Sequence, residues 1–553
     1  MQLLGDRSWV ISASDLSKWA ACPWLVARTA DEKLGKGIRV PEVHDPMLEL
    51  VARLGLRHEA RTLEELRGTL ERVVEIEFER HARPSDAEAW RAEMAGARAA
   101  TEAALAGGAD AVFQATLFQE HLEDAPIPVG FQGFADFLVT STRGWEVWDT
   151  KLARSAKDSA LIQLAAYVDQ LRRRGIPTSP DVHLVLGDGT HSIHDVDEIM
   201  PEYLGQREAL VSLLQERMVD PEATPWADER YVACGTSRCP ACSEQIPMHD
   251  DLFGIAGLRK TQRSKLRVAG FATMADFAAA SRDEVRTRVF GIGKDTLAAL
   301  HLQASLQVAT RSRIDGTVAW QITSQKMLDR IPEPNPGDVF FDFEGDPTYQ
   351  EFDDAGRPLG GLAHGDESVW FGIEYLFGLW GEGMTPGSDD PFRPIWSETF
   401  DEESAALSSF CELILERHRE HPGMRVYHYA SYEKTKLLQL AKRHQVAESE
   451  VAFIIDNLLV DLYPIVMKGI AVGLPSYSLK SLEALYFDPE TRTGIAGGGE
   501  SVVAFADYLE ARDRGDELEA HRLRESILHY NRIDCYSTLA LREWLRGVRG
   551  EAS

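Results

Sequence analysis

Four short segments, two in each half of the 553-residue chain, carry carboxylates at spacings that suit metal-dependent hydrolysis. They are Gly133–Asp136, Trp148–Lys151, Phe341–Gly345 and Tyr530–Asp534. Acidic side chains that converge on one cleft hold hard divalent cations such as Mg²⁺ or Mn²⁺. Those cations hydrolyse phosphodiester bonds by stabilising the attacking and leaving oxygens. The sequence therefore predicts nuclease chemistry at two separate sites.

The first two segments fall on two predicted strands, 131–139 and 145–152, which a short polar turn joins into a hairpin. Residues two apart on a strand point to the same face, so Asp149 and Lys151 should enter one cleft, which Asp136 can reach from the partner strand. The carboxylates would bind the metal, and Lys151 would orient or deprotonate the attacking water. A lone D-x-K is a weak signal, because exposed strands of alternating charge often contain it.

Predicted helices on either side of the hairpin supply further candidates. The helix before it carries His58 and Glu59, which are candidate metal ligands. The helix after it carries Gln163 and Tyr167, four residues apart and hence on one face, suited to contact the substrate or the lysine.

Four of the six cysteines are candidate metal ligands. Cys234, Cys239 and Cys242 form a C-x4-C-x2-C cluster in a turn-rich stretch, and Cys22, within a helix predicted over 12–30, offers a fourth thiolate. Chains of the cytosol rarely keep disulfides, so such a cluster indicates metal ligation. The residues alone favour zinc and an iron-sulfur cluster about equally, and plain reduced thiols are the alternative.

The second site has a different geometry. Asp342 and Glu344 lie two apart on an apolar strand, an arrangement too costly to bury unless cations neutralise it. Tyr530 and Asp534 lie four apart on a predicted helix, which places a phenol beside a carboxylate.

Two more carboxylates belong to the surroundings of this second site. Glu433 begins a helix after a predicted strand at Met424–Tyr429, and Asp461 would either line the cleft or cap a helix or strand. Further strands are expected at Val339–Phe343 and near 368–380 and 393–400. Strands and helices in this order suit a mixed sheet with covering helices.

Glycines between the two halves indicate contact with a phosphate backbone. Gly257 precedes one predicted helix, and Gly291, Gly293 and Lys294 form an h-x-G-h-G pattern before another, as in helix-hairpin-helix modules. Such glycines let the backbone approach a phosphate, and the helix start presents unpaired amides to it, so binding is independent of base sequence. The alternative is two ordinary helix turns.

The formal net charge of −29 excludes indiscriminate nucleic-acid binding by the whole surface. Local basic runs at 259–267 and 172–174 are the candidate binding patches, and solvated helix faces are the alternative for either. No stretch approaches the ~20 apolar residues of a membrane span, and the start has no signal-peptide pattern, so a cytoplasmic protein is expected. A motor activity is not expected, since the sequence has no Walker A loop.

In their order along the chain, the motifs of the first half resemble the RecB-like branch of PD-(D/E)xK nucleases. The likeness is narrower to iron-sulfur members such as AddB nuclease domains and CRISPR-associated spacer-acquisition exonucleases. It implies catalytic roles for Asp136, Asp149 and Lys151, a metal-ligand role for His58, and a [4Fe-4S] cluster on the four cysteines. The C-x4-C-x2-C spacing departs from that family, in which C-x2-C-x5-C is frequent.

The motifs of the second half resemble the DEDD exonucleases of the RNase H-like superfamily, within the Y-x3-D branch and its YprB-type members. The resemblance implies that two Mg²⁺ or Mn²⁺ ions are held by four residues, Asp342, Glu344, Glu433 and Asp534. It also implies that Tyr530 positions the nucleophilic water. Most relatives have Asp where this chain has Glu433.

Together these patterns predict a multidomain α/β protein. Its expected parts are a restriction-endonuclease-like PD-(D/E)xK domain at 1–250, a small α-helical helix-hairpin-helix region at 251–312, a linker at 313–336 and an RNase H-like mixed-sheet domain at 337–553. The expected activity is metal-dependent cleavage of single-stranded or end-exposed DNA in repair, recombination or defence, with a helicase or recombination partner. RNA processing by a 3'-5' exonuclease and a non-catalytic iron-sulfur scaffold that binds nucleic acid are the alternatives.

Overall fold

The computed structural model describes residues 1–42, 45–77, 87–236, 238–353, 359, 370–385, 387–488 and 492–551. These residues form two compact units, Met1–Ile246 and Pro247–Ser553. Among the helices in these ranges, none has the length and apolar character required to cross a membrane.

In its described residues, the first unit combines eight strands with seven helices. Its strands are β1 Gln2–Leu3, β2 Trp9–Ile11, β3 Val73–Glu75, β4 Ala111–Gln119, β5 Val129–Ser141, β6 Gly144–Lys151, β7 Asp181–Leu186 and β8 His191–Asp195. Its helices are α1 Ala13–Ala21, α2 Pro23–Lys33, α3 Pro46–Thr69, α4 Ala87–Ala106, α5 Asp158–Arg173, α6 Val196–Val219 and α7 Pro240–Met248, the last ending just beyond the unit.

Strand β5 is the centre of one mixed sheet. It pairs antiparallel with β4 and β6 and parallel with β2, and β6 pairs parallel with β7. The predicted hairpin of β5 and β6 is confirmed, with Phe137 opposite Trp148. Apolar residues of α3, including Leu63 and Leu66, pack on Phe113 and Phe137 and fix α3 against the sheet.

The prediction of a single helix over 12–30 is wrong, because the structure has two helices that meet at Cys22. Cys22 is extended, with φ −155° and ψ 90°, and Pro23 is the first residue of α2. Proline is favoured at that position because its missing N–H would have no helical partner there. The break places the Cys22 thiol at the N-terminus of α2, where its sulfur accepts the Leu25 N–H.

The second unit has seven strands and twelve helices in the part of the chain that is described. Its strands are β9 Trp320–Ile322, β10 Val339–Asp346, β11 Ile373–Trp380, β12 Phe392–Trp396, β13 Val426–His428, β14 Leu459–Asp461 and β15 Ile470–Val472. Its helices are α8 Lys260–Val268, α9 Met274–Ala279, α10 Arg282–Arg288, α11 Lys294–Ser312, α12 Gln325–Leu328, α13 Phe400–Glu420, α14 Tyr432–His444, α15 Glu448–Asn457, α16 Tyr463–Gly469, α17 Leu479–Leu482, α18 Gly498–Asp513 and α19 Glu517–Glu551.

The main sheet of this unit has the order β12-β11-β10-β13-β14. The first three strands are antiparallel and the last two run parallel to β10, so the predicted mixed sheet is confirmed. Phe341 and Phe343 point into an apolar core formed with α13. Because side chains alternate along a strand, Asp342 and Glu344 lie on the opposite face. Residues 368 and 369 of the predicted strand 368–380 lie outside the described residues.

Residues 313–336, predicted as a linker, are instead part of the second unit. Within them, β9 pairs antiparallel with β15, and Leu328 and Ile331 are buried in an apolar cluster. The helical region before them is attached to the same place, since Gln303 Nε2 of α11 donates to the Val472 carbonyl at 2.8 Å. Prolines stand at 332, 334 and 336, and the apolar residues just before them anchor the segment.

Candidate functional sites

The structure brings together the three central residues predicted for the first site. Asp136 comes from β5, whereas Asp149 and Lys151 come from β6. Lys151 Nζ lies 2.5 Å from Asp149 Oδ2. Asp136 Oδ2 accepts hydrogen bonds from the backbone N–H and the hydroxyl of Thr150 at 2.7 and 2.8 Å. The sequence analysis did not include Thr150 among the residues of this site.

Burial and mutual repulsion make the carboxylates of Asp136 and Asp149 a favourable binding site for a cation. Asp149 is fully buried. Burial and then the Asp136 charge raise the pKa of Asp149 to about 7, and Lys151 opposes the rise. Burial acts to lower the pKa of Lys151, but the charges of Asp149 and Asp136 outweigh it and raise that pKa. Two carboxylates held this close favour a divalent cation between them.

Gln163 and Tyr167 join the same site from α5. Gln163 Nε2 donates to Asp149 Oδ1 at 3.1 Å and to the Tyr167 hydroxyl at 3.0 Å. A Cβ atom at Gly133 would lie 2.6 Å from Cε1 of the Tyr167 ring. Only glycine therefore leaves room for this ring, which explains why glycine precedes Asp136 by three residues.

His58 is buried on α3, and its Nε2 lies 3.1 Å from the Val185 carbonyl oxygen. Burial lowers the pKa of His58, which favours the neutral ring. A neutral imidazole that donates from Nε2 keeps its lone pair on Nδ1, the form that ligates a metal. The charge of Asp136 acts on His58, so the two groups face the same region.

In the second site, carboxylates far apart in the sequence converge. One oxygen from each of Asp342, Glu344 and Asp534 lies within 4.8 Å of the others, so the three could share a metal ion. Burial and then the Asp534 charge raise the pKa of Glu344 to about 8. Burial, followed by the charges of Asp534 and Glu344, also raises the pKa of Asp342. Such mutual repulsion is relieved by bound cations.

Two basic residues that the sequence analysis missed lie beside this cluster. Lys480 Nζ lies 2.6 Å from the Tyr530 hydroxyl, and Arg492 Nη2 lies 2.6 Å from Asp534 Oδ1. Both line a cleft of about 390 Å³ together with Glu483. The sequence signal was weak, because each residue is an isolated cation, Lys480 in the four-residue helix α17 and Arg492 outside any helix or strand.

Glu433 and Asp461 make different contacts from the three clustered carboxylates. Glu433 is buried at the start of α14, and its Oε2 lies 3.0 Å from His428 Nδ1. Its charge contributes to the raised pKa of Asp342, so it lies near the cluster without joining it. Asp461 accepts the Ala430 and Tyr463 backbone N–H groups at 2.9 and 2.8 Å, the contacts expected of a capping residue.

The four predicted cysteines form one compact thiolate group. The Sγ atom of Cys242 lies 3.8 Å from that of Cys22 and 3.6 Å from that of Cys234, and the Cys239–Cys22 separation is 3.9 Å. Four thiolates are the donor set of a single tetrahedral zinc ion and also of a [4Fe-4S] cluster. Since Cys22 is distant in sequence from the other three, a metal here would tie the two ends of the first unit together.

Helices α8 to α11 form a small helical region around Leu266, Phe277 and Leu297. Gly257 and Gly291 have φ values of 79° and 77°, a conformation that favours glycine. Gly293 is the N-cap of α11, and Lys294 is its exposed first residue. Lys265 Nζ donates to the Gly291 carbonyl at 2.5 Å. The h-x-G-h-G segment therefore forms an exposed turn and helix start.

The basic run 172–174 makes intramolecular ion pairs. Arg172 pairs with Asp197 and Arg174 with Glu102, while Arg173 contacts Asp124. These pairs favour the structural alternative for this run over a nucleic-acid patch.

Comparison with protein families defines the class to which these folds and sites belong. Residues 10–245 match the PD-(D/E)XK nuclease superfamily and residues 368–546 match the RNase_H superfamily. The chain is therefore a nuclease that contains one domain from each of two phosphodiester-hydrolysing superfamilies. Asp342 and Glu344 precede the second matched range. A search among curated proteins found no match.

Proposed function

We propose that this chain is a metal-dependent DNA nuclease with two active sites that acts on single-stranded or end-exposed DNA in repair, recombination or defence. The observation that carries the proposal is the convergence of Asp342, Glu344 and Asp534 within 4.8 Å. Carboxylates this close repel one another when they are charged, and a bound divalent cation relieves that repulsion. The first unit provides a second acidic group with an adjacent lysine.

In the first site, Asp136 and Asp149 would hold the divalent ion, with His58 Nδ1 as a further ligand. Mg²⁺ or Mn²⁺, when bound, supplies Lewis-acid stabilisation of the phosphate and activates water. The Lys151 ammonium, held 2.5 Å from Asp149, stabilises negative charge on the phosphate that undergoes attack. Gln163 fixes the Asp149 carboxylate through a hydrogen bond of 3.1 Å.

In the second site, Asp342, Glu344 and Asp534 would be the metal ligands, and Glu433 adds a negative charge near them. The Tyr530 hydroxyl orients the attacking water. Burial, followed by the Asp534 charge, raises the pKa of Tyr530, so the phenol stays protonated and donates a hydrogen bond. Lys480 contacts the same hydroxyl and is placed to bind a substrate phosphate.

Helices α8 to α11 supply the sequence-independent DNA contacts that a chain with a net charge of −29 requires. Its turn at Gly291 and Gly293 lets a phosphate approach the backbone, and the first N–H groups of α11, which no N-cap side chain covers, lie beside the exposed Lys294. Lys260 and Lys265 on α8 are exposed in the same small region.

The thiolate group has a structural role, namely to hold residues 22 and 234–242 together around a metal centre. The resemblance to iron-sulfur nucleases implies a [4Fe-4S] cluster. Three of the sulfur separations are 3.6 to 3.9 Å, and all four sulfurs lie within 4.8 Å of one another. The edge of a tetrahedron around one zinc ion is about 3.8 Å for Zn–S bonds of about 2.3 Å. The thiolates of a cubane bind different irons and lie farther apart.

The proposal is tested with Asp149→Asn, Asp342→Asn and the double variant on matched end-labelled single strands of DNA and RNA with Mn²⁺. Each single variant should change the product pattern, and the double variant should lose cleavage. The matched controls Asp158→Asn and Asp456→Asn, both of exposed carboxylates, should leave cleavage unchanged. If both single variants gave the same product pattern as the wild type, the two-site proposal would be wrong. Cleavage of RNA but not of DNA would contradict the proposed DNA substrate.

A further inference from the structure

Gln114 has an unusual backbone conformation for a residue in the middle of a strand. Its φ is 54°, in the left-handed region, although β4 continues on both sides of it. Phe113 pairs with Phe137 and Ala115 with Ala135, so Gln114 lies opposite Asp136. A residue other than glycine is strained in this region and persists there only where its surroundings require it.

The side chain of Gln114 shows what this conformation achieves. Its Nε2 donates to Oε1 of Glu59, the residue after His58 on α3. Because Gln114 lies opposite Asp136, this hydrogen bond places the Glu59 carboxylate near the acidic residues of the first site, and its charge adds to the raised pKa of Lys151. A regular strand would alternate its side chains between the two faces, and a left-handed residue re-aims one of them. The strain therefore connects β4 to an acidic group on α3.

We propose that Gln114 is a positioning residue of the first active site, where its amide holds the Glu59 carboxylate as a third carboxylate of that site, next to Asp136 and Asp149. This inference rests on the proposed function of the site. Glu59 extends the site from the sheet to α3, and Gln114 fixes the rotamer in which Glu59 can reach a bound cation. Residues that hold a metal ligand in this way change metal affinity without contacting the metal.

The test uses the full chain with Asp342→Asn, which silences the second site. Gln114→Gly removes the amide but tolerates the left-handed backbone, so the fold should be retained and thermal unfolding should show it. Calorimetric titration with Mn²⁺ should show an affinity about tenfold weaker than that of the Asp342→Asn parent, and cleavage should require correspondingly more Mn²⁺. Gln119→Ala, at the end of the same strand, is the matched control and should bind as the parent does.

A double-mutant cycle separates positioning from a general structural effect. If Gln114 acts through Glu59, Gln114→Gly should have little further effect on Mn²⁺ affinity once Glu59→Gln is present. Independent effects of the two substitutions, or parent-like affinity in Gln114→Gly, would overturn the inference and leave the proposed function intact. A parent that neither binds Mn²⁺ nor cleaves DNA would overturn both.

Discussion

The amide of Asn531 occupies the space that a side chain at position 378 would fill, so Gly378 allows α19 to reach the sheet. A Cβ atom on Gly378 would lie 1.6 Å from Asn531 Oδ1. Gly378 is also the partner of Asp342 in the antiparallel pairing of β10 and β11. From this position Asn531 Nδ2 donates to Asp342 Oδ2 at 2.9 Å. The glycine thus supports the second carboxylate cluster without contributing any chemistry of its own.

Gly378→Ala should therefore weaken the second site more than the fold. Overpacking of a buried contact costs about 1–3 kcal/mol, and displacement of Asn531 removes a hydrogen bond that orients Asp342. We expect Mn²⁺ affinity at this site to fall about tenfold or more in a chain with Asp149→Asn, as measured by calorimetric titration. Gly547→Ala, at a helical position on α19 with open space, is the control. Unchanged affinity in Gly378→Ala would contradict the packing argument.

The second cluster should make the metal-free protein less stable at higher pH. The pKa of Glu344 is raised from 4.5 to about 8, so the folded state binds a proton more tightly than the unfolded state. Stability is therefore lost as the pH rises between these two values, and a divalent ion should restore it. Melting temperatures in EDTA and in Mn²⁺ should differ by more at pH 8 than at pH 5. In the Asp342→Asn, Glu344→Gln double variant, the difference between the melting temperatures in Mn²⁺ and in EDTA should be smaller at pH 8. If that difference in the wild-type protein were equal at pH 5 and pH 8, the raised pKa of Glu344 would not explain the stability.

Arg492 occupies a position where it competes with a metal for Asp534. Its Nη2 lies 2.6 Å from Asp534 Oδ1, and Asp534 is one of the three clustered carboxylates. Arg492→Met should bind Mn²⁺ several-fold more tightly at this site, because the metal no longer displaces a guanidinium. Turnover should fall, since Arg492 joins Lys480 in lining the cleft and one of these two cations is then no longer there to bind a substrate phosphate. Arg522→Met, which removes an exposed pair with Glu519, is the control. Weaker Mn²⁺ binding by Arg492→Met would refute the competition.

The sequence predicted those parts of the sites whose residues lie close together along the chain, and it missed those that only the tertiary fold brings together. The hairpin that brings Asp136 to Asp149 follows from alternation and a turn, and both lie within a short stretch. The pairing of β9 with β15 joins residues about 150 apart and has no local signal. Lys480 and Arg492 were missed for the same reason, because only the tertiary fold places them beside Asp534. Pro23 indicates that a new helix begins after Cys22. The helical periodicity on either side nevertheless favoured the prediction of one continuous helix.

The thiolate group makes a prediction about stability and metal content together. Cys242→Ser removes one of four sulfurs that lie within 4.8 Å of one another, so bound metal should be lost and the melting temperature of the first unit should fall by several degrees. The control is Cys411→Ser, a buried thiol of α13 that belongs to an apolar core, which should leave the metal content unchanged. Elemental analysis of the anaerobically purified wild-type protein identifies the metal. Iron together with inorganic sulfide would support the [4Fe-4S] cluster that the resemblance implies. One zinc per chain would support the single tetrahedral ion that the sulfur spacing favours. Full metal content in Cys242→Ser would show that these cysteines are not the ligands.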